Sequence, residues 1–320
     1  STRMSVIGLG LRSILCVPLE SKDTVSGVIY VDNRLQAGIF SPDDLDLLAA
    51  IASNAAIAID NARLYQVAVE KGRMERELQV ARGVQASLLP QETPQVPGWA
   101  FEARWQPART VSGDYYDFIP LDGGQLGLVI ADVSDKGMPA AVFMALTRST
   151  IRATASHLSS PAEAIAEANR LICADSADGM FVTLFYAQLD PSSGKLTYVN
   201  AGHNPPLLCR AGEHGEAELL DELRPTGMAL GIVEEFPFEQ RTLELQPGDS
   251  ILLYTDGVPD ASNEGQEQFG IERLRRVLLE QQAAPVAAMV SALERAITDL
   301  TGGATQFDDI AILAVKRLGV

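Results

Sequence analysis

Histidine and cysteine are scarce in this chain of 320 residues, with three of each. Cys16, Cys173 and Cys209 stand far apart with no CxxC pair, and His157, His203 and His214 form no HxxxH pattern. That spacing excludes a structural zinc site and a disulfide framework, and it predicts a reduced, cytoplasmic protein. Basic residues are in deficit too: 25 Lys plus Arg against 42 Asp plus Glu leave a net charge of −17. A surface of that sign excludes a general binder of nucleic acid or of anionic membranes. No apolar run approaches the length needed to cross a bilayer, the N-terminus lacks a charged-then-apolar leader, and there is no GxxxxGKS/T loop. Neither a membrane protein nor a nucleotide-handling P-loop enzyme is expected.

What is present is core. The hydrophobic content is 47%, and the length predicts two or more structural units. Near the N-terminus, SILCVP and VSGVIYVD read as two strands of a hairpin joined by a polar turn over 20–24. Ser41-Pro42-Asp43-Asp44 then signals a helix start, with serine as cap, proline in the first turn and acids beside the positive helix end. Leu45, Leu48, Ile51, Ala52, Ala55, Ile59, Ala62 and Tyr65 follow at three- and four-residue steps, which predicts one apolar stripe. From Gln66 to Leu89 the helix continues, with a seam of Val69, Leu78, Ala81, Val84 and Leu88 among charged residues. This stretch is expected to be a linker, 65–89, that forms a parallel coiled coil between two copies. Pro90, Pro94 and Pro97 end it and mark a domain boundary.

Beyond Trp99 the pattern turns to short β-rich segments, at 101–105, 115–119, 126–132, 181–190, 195–200, 207–210, 241–245, 250–255 and 309–315, divided by Gly, Pro, Asp or Asn turns. Helical periodicity is confined to 138–156, 161–175, 271–279 and 285–300. The expected class is α+β, an antiparallel sheet protein with helices on its faces.

Four aspartates stand at strand ends beside small residues. Asp114 opens GDYYDF, Asp132 follows LVIA, Asp256 follows SILLYT, and Asp308-Asp309 precedes IAILAV. Singly, each reads as an ordinary turn or capping residue. Together, acids from separate segments meeting at one sheet edge repel and raise one another's pKa unless a divalent cation neutralises them. Oxygen-only donors suit Mg²⁺ or Mn²⁺ rather than zinc.

In order and wording, GDYYDF, LVIADVSDKGMPAAVFMAL, FVTLFYAQLD, YVNAGHNPPLL, ILLYTDGVPDA and FDDIAILAV resemble the metal-dependent, type 2C-like serine/threonine protein phosphatases, in their bacterial stress-response and sporulation branch. The resemblance runs from about Ala81 to Val315 and includes ARGVQASLLP at the end of the linker. FSPDDLDLLAAIASNAAIAIDNARLY, with the hairpin before it, resembles the C-terminal half of a GAF domain, the other half of which would precede Ser1. The domains expected are thus a partial GAF-like unit at 1–64, the linker at 65–89 and a phosphatase domain at 90–318. For the last, the resemblance implies two packed antiparallel sheets with helices outside, an α-β-β-α sandwich.

It also implies a centre of two Mn²⁺ or Mg²⁺ ions. Asp114 and Asp132 would hold or bridge them, the Val133 carbonyl would add a ligand, and Asp256 and Asp308 would complete the set, with Asp309 the alternative to Asp308. Arg109 occupies the place of a phosphate-binding arginine, against the plain reading of a surface arginine. Two metals roughly 3.5–4 Å apart bridge a water, lower its pKa and aim it at phosphorus. Where some relatives carry a histidine after the second acid this chain has Asp135-Lys136, so solvent or Lys136 would protonate the leaving group. His203 reads as a structural turn residue, and Asp117 and Asp135 as outer or loose ligands. The substrate implied is a phosphoserine or phosphothreonine on a regulatory protein of the anti-sigma-factor-antagonist type. Two other readings stand beside it, a catalytically silent dimeric scaffold and a phosphatase of small phosphate esters.

Overall fold

The computed structural model describes residues 10–22, 24–176, 179–212, 217–220 and 223–319; His214 lies outside them. The chain divides into two units, Ser1–Glu77 and Leu78–Val320. In the first, β1 (Ser13–Ser21) and β2 (Thr24–Asn33) pair antiparallel, with a register shift between Leu19 and Glu20. The helix α1 (Pro42–Leu88) then starts at the serine cap foreseen, which proves to be a reciprocal capping box with Asp44. The Asp44 amide donates to Ser41 Oγ at 3.3 Å, and the Ser41 amide donates to Asp44 Oδ2 at 2.8 Å. Ala52 and Ala56 are buried on this helix, whereas Leu45, Ile51, Ile59 and Tyr65 of the expected stripe are exposed. An 18-residue window of α1 reaches mean hydropathy 1.3, long and apolar enough by length and composition to cross a membrane. That corrects the reading that no run approaches such a length: alanine contributes hydropathy without bulk.

The second unit begins inside α1, at Leu78, ahead of Pro90. Of the expected seam, Val69 and Val84 are exposed. The inward position one residue after Val84 belongs to a polar side chain, Gln85, which is buried, as is Leu89 just beyond the helix.

Two five-stranded antiparallel sheets form the body of this unit. One runs β10 (Arg241–Glu244), β7 (Lys195–Ala201), β6 (Val182–Asp190), β5 (Leu126–Val133), β4 (Tyr115–Pro120), largely a meander. The other is ordered β3 (Trp99–Gln106), β12 (Ile310–Arg317), β11 (Ser250–Tyr254), β8 (Leu207–Ala211), β9 (Ala217–Leu220), so the strand that opens the unit pairs with the one that closes the chain. The helices α2 (Met138–His157) and α3 (Pro161–Asp175) pack on the first sheet, and α4 (Gly270–Glu280) and α5 (Val286–Thr301) on the second. This is the expected two-sheet sandwich with helices outside.

Period-two alternation divides the second sheet between two cores. Leu313 and Val315 of β12 and Ile251 and Leu253 of β11 join the central cluster with the first sheet. Ile310, Ile312, Leu252 and Tyr254 face the other way, into a cluster with Leu274, Leu293 and Ile297 of α4 and α5. β5 is covered on both faces, and Leu126 to Ala131 are all buried. A strand enclosed on both sides reads as an unbroken apolar run, which is why this one stood out in the sequence.

Candidate active site

Each candidate acid is delivered by a strand end. Asp114 directly precedes β4, Asp132 is the penultimate residue of β5, Asp256 lies two residues past the end of β11, and Asp308-Asp309 precede β12. Antiparallel pairing sets Tyr115 opposite Ala131, which places Asp114 beside the end of β5. The Thr255 amide donates to the Ala311 carbonyl at 3.1 Å, and the Ala311 amide to Thr255 Oγ1 at 2.9 Å, which holds the Asp256 turn against the 308–309 pair. Gly257 is required there. A Cβ at that position would meet the Asp309 carbonyl at 1.9 Å, so Asp256-Gly257 is a close backbone crossing rather than a hairpin turn.

The acids form a row in which each disturbs the next. Asp114 is buried, and its carboxyl is pushed well up by burial and then by Asp132. Asp132 is raised to about 7 by burial and by Asp256, and Asp256 is raised by burial and by Asp308. Asp114 Oδ2 is buried with no hydrogen-bond partner. On the neighbouring segment, a Cβ at Gly113 would lie 3.0 Å from the Val133 carbonyl, so that oxygen faces the backbone that carries Asp114.

The adjacent aspartates 308 and 309 do different work. Asp309 accepts from the Ala108 amide through Oδ1 at 2.7 Å and from the Gly113 amide through Oδ2 at 3.0 Å. Both of its oxygens are committed to the backbone. Asp308 instead meets a side-chain cation: Lys136 Nζ donates to Oδ2 at 2.8 Å and to the Phe307 carbonyl at 3.2 Å, and sits 4.2 Å from the Phe307 ring centroid.

Among the described residues, no three acidic, histidine or cysteine side chains stand close enough to form a ready metal cage. The donor set nevertheless fits a divalent cation. It is oxygen only, burial and mutual repulsion raise the pKa of Asp114, Asp132 and Asp256, and one buried carboxylate oxygen lacks any hydrogen-bond partner.

The other candidates separate from this row. Arg109 is exposed and has no hydrogen bond or ion pair among the described residues, one position after the Ala108 amide that Asp309 binds. Asp117, expected as an outer or loose ligand, is instead buried against α2. Arg152 donates to it from Nε and Nη2 at 2.5 and 2.6 Å, and Arg148 Nε lies 3.2 Å away. Strand alternation from Asp114 to Asp117 turns its carboxylate to the opposite face. Asp135 is exposed at φ 81° and accepts from the Lys136 amide. His203 is buried, with Nδ1 2.9 Å from Thr183 Oγ1 and its amide donating to Asn200 Oδ1, a structural position as expected. The sequence reading missed Gln85, Ser112 and the Lys136–Asp308 pair; only ARGVQASLLP, as a motif, pointed to the first.

A profile described as Stage II sporulation protein E (SpoIIE) matches residues 122–318, and a GAF domain profile matches residues 2–61. Protein IcfG of Synechocystis is 33% identical over 279 residues, 78% of this chain and 43% of that protein. Phosphoserine phosphatase RsbU of Bacillus subtilis is 28% identical over 246 residues, 76% of this chain and 71% of RsbU. The chain thus spans less than half the length of IcfG. Among solved structures, the SiaA-PP2C domain of Pseudomonas aeruginosa superposes with a TM-score of 0.67 at 21% identity, over 78% of this chain and 99% of that domain. The RsbU and RsbW domains of Rv1364c from Mycobacterium tuberculosis superpose at 0.57 with 28% identity, over 71% and 62%.

Proposed function

Because this chain belongs to the SpoIIE family and carries a PP2C-type phosphatase domain, we propose that it is a metal-dependent protein-serine/threonine phosphatase whose centre is the aspartate row. The observation that carries this reading is the buried, unpartnered Oδ2 of Asp114 within a file of oxygen donors drawn from four segments. Asp114, Asp132, Asp256 and Asp308 would hold two ions, Mn²⁺ or Mg²⁺, with the Val133 carbonyl. Asp309 orients the loop, since both its oxygens are already used. When bound, the ions supply a water of lowered pKa and positive charge toward the phosphoryl oxygens.

The chain's own groups do the rest. Exposed Arg109 has its guanidinium free to take two oxygens of a phosphate. Lys136 neutralises Asp308 and lies at the rim of the site, where it can turn to the leaving oxygen. Positioning and fixed charge then carry most of the rate, as expected for phosphoryl transfer.

The substrate we infer is a phosphoserine or phosphothreonine on a regulatory protein of the anti-sigma-factor-antagonist type. The kinship with a protein named phosphoserine phosphatase supports this class. The three free thiols accord with a cytoplasmic setting. Exposed apolar residues along α1, among them Ile51, Ile57, Leu64 and Val80, favour a homodimer through that helix.

The test is hydrolysis of an aryl phosphate and of a phosphoserine peptide in EDTA, Mg²⁺ or Mn²⁺, beside Asp132→Asn. We expect metal to restore turnover on both, and the variant to lose ~100-fold or more. Folded protein that is inactive with every metal would instead point to a silent scaffold. Turnover of the aryl ester alone would point to a small-ester enzyme.

A further inference from the structure

The segment 107–114, between β3 and β4, is irregular, yet Val111, Ser112, Gly113 and Asp114 are all buried. With no sheet partner, its backbone groups must be satisfied by side chains. Each of them is. Asp309 takes the Gly113 amide, and Ser112 Oγ takes the Asp114 amide at 3.0 Å. Trp105 Nε1 donates to the Asp114 carbonyl at 2.9 Å. The Ser112 peptide itself is held by Gln85 of α1, whose Nε2 donates to the Ser112 carbonyl at 2.5 Å and whose Oε1 accepts from the Ser112 amide at 3.0 Å.

Gln85 is the contribution of the linker helix to this cradle. A carboxamide that makes both bonds to one peptide fixes that peptide in position and orientation, as a neighbouring strand would. It is buried where the helical spacing from Leu78 and Ala81 calls for an apolar residue. Leucine or methionine would fill that space but leave the buried Ser112 N–H and C=O without partners, so the glutamine is there for those two bonds rather than for packing.

We propose that Gln85 is a positioning residue for the metal centre, acting through Ser112 on Asp114. This rests on the reading of Asp114 as a metal ligand. The relay has two links: Gln85 fixes the Ser112 peptide, and the Ser112 hydroxyl fixes the Asp114 amide and hence where its free carboxylate oxygen points. Outer partners that orient a ligand tune metal affinity without touching substrate.

The experiment is Mn²⁺ titration by calorimetry of the full chain and of Gln85→Met, Ser112→Ala and the double variant, with Val84→Ala on the exposed face of the same turn as control. Aryl phosphate kinetics run alongside. We expect Gln85→Met to weaken Mn²⁺ binding ~10-fold, to raise the Mn²⁺ needed for half-maximal turnover by the same factor, and to leave KM for the ester unchanged. Turnover at saturating Mn²⁺ should recover. The double variant should be no weaker than the worse single one, because the two residues lie in one relay. Val84→Ala should titrate as the wild type does. A folded Gln85→Met with the wild-type isotherm overturns the proposal, and so do losses that simply multiply in the double variant. Should Gln85→Met fail to fold, Gln85→Leu, which is also uncharged and also removes both bonds to the Ser112 peptide, decides by the same isotherm. A wild-type chain that binds neither Mn²⁺ nor Mg²⁺ overturns the metal reading itself, and this inference with it.

Discussion

Two neighbouring aspartates with the same chemistry have opposite duties because the bend ahead of β12 turns their side chains to different partners. Asp309 turns into the 108–113 loop and satisfies two amides, while Asp308 turns toward Lys136 and Asp256. Replacing Asp309 by Ala should orphan two backbone donors and cost about 2–6 kcal/mol in a urea titration, at ~1–3 for each. Replacing Asp308 by Asn should leave the urea midpoint nearly unmoved and abolish Mn²⁺ binding. The reverse pattern would make Asp309 the ligand. Adjacent letters in a sequence do not reveal which of them a bend turns toward the backbone, so this choice stayed open until the bonds to the Ala108 and Gly113 amides were seen.

His203 gives a second prediction at the same scale. Burial lowers its pKa to about 4, below the value of about 6.5 of an unfolded histidine. Above pH 6.5 neither state binds the proton. As pH falls from there toward 4 the unfolded chain takes it up while the native one does not, so stability drops by ~1.4 kcal/mol per pH unit, about 3 kcal/mol in all. His203→Gln should remove that slope from the pH dependence of the urea midpoint. Equal slopes in variant and wild type would show that the imidazole is protonated in the folded protein.

Between elements, the strongest polar tie in the first sheet joins α2 to β4. Asp117 is almost wholly buried and faces both Arg148 and Arg152. Removing the carboxylate by Asp117→Ala leaves the largely enclosed Arg148 without its counter-charge, while the more exposed Arg152 can reach water, and should cost about 3 kcal/mol, read as a lowered urea midpoint. Asp117→Ala with wild-type stability would mean that the arginines relax into water. The elements themselves were largely legible. Ser41 caps the helix it was read to cap, and LGLVIA runs unbroken because it is covered on both faces. GDYYDF placed Asp114 and Asp117 in one motif, but alternation sends them to different faces, and only the strand pairing shows it. Gln85 was the harder case. In a charge-rich helix a glutamine reads as solvated surface, and Val84 beside it took its place in the expected seam.

For the whole molecule, order along the chain told more than any single residue. Four strand-end acids in sequence predicted a shared edge, and the fold brings Asp114, Asp132, Asp256 and Asp308 into one row. The state of assembly was not legible in the same way, because an apolar helix face is compatible with any partner. If α1 joins two copies, sedimentation across a concentration series should show a monomer–dimer equilibrium that Ile57→Glu and Leu64→Glu shift toward monomer. A single monomer boundary at every concentration rules the dimer out.

The pairing of β3 with β12, Trp99 opposite Arg317, carries a consequence for biosynthesis. At ~5–20 residues per second, the first strand of that sheet waits roughly 10–40 s for its neighbour to leave the ribosome. Over that interval it presents an unpaired edge with Trp99, Phe101 and Trp105 along it. A nascent chain stalled before residue 310 therefore keeps an open, aromatic strand exposed, a natural target for chaperones and for aggregation in truncated products.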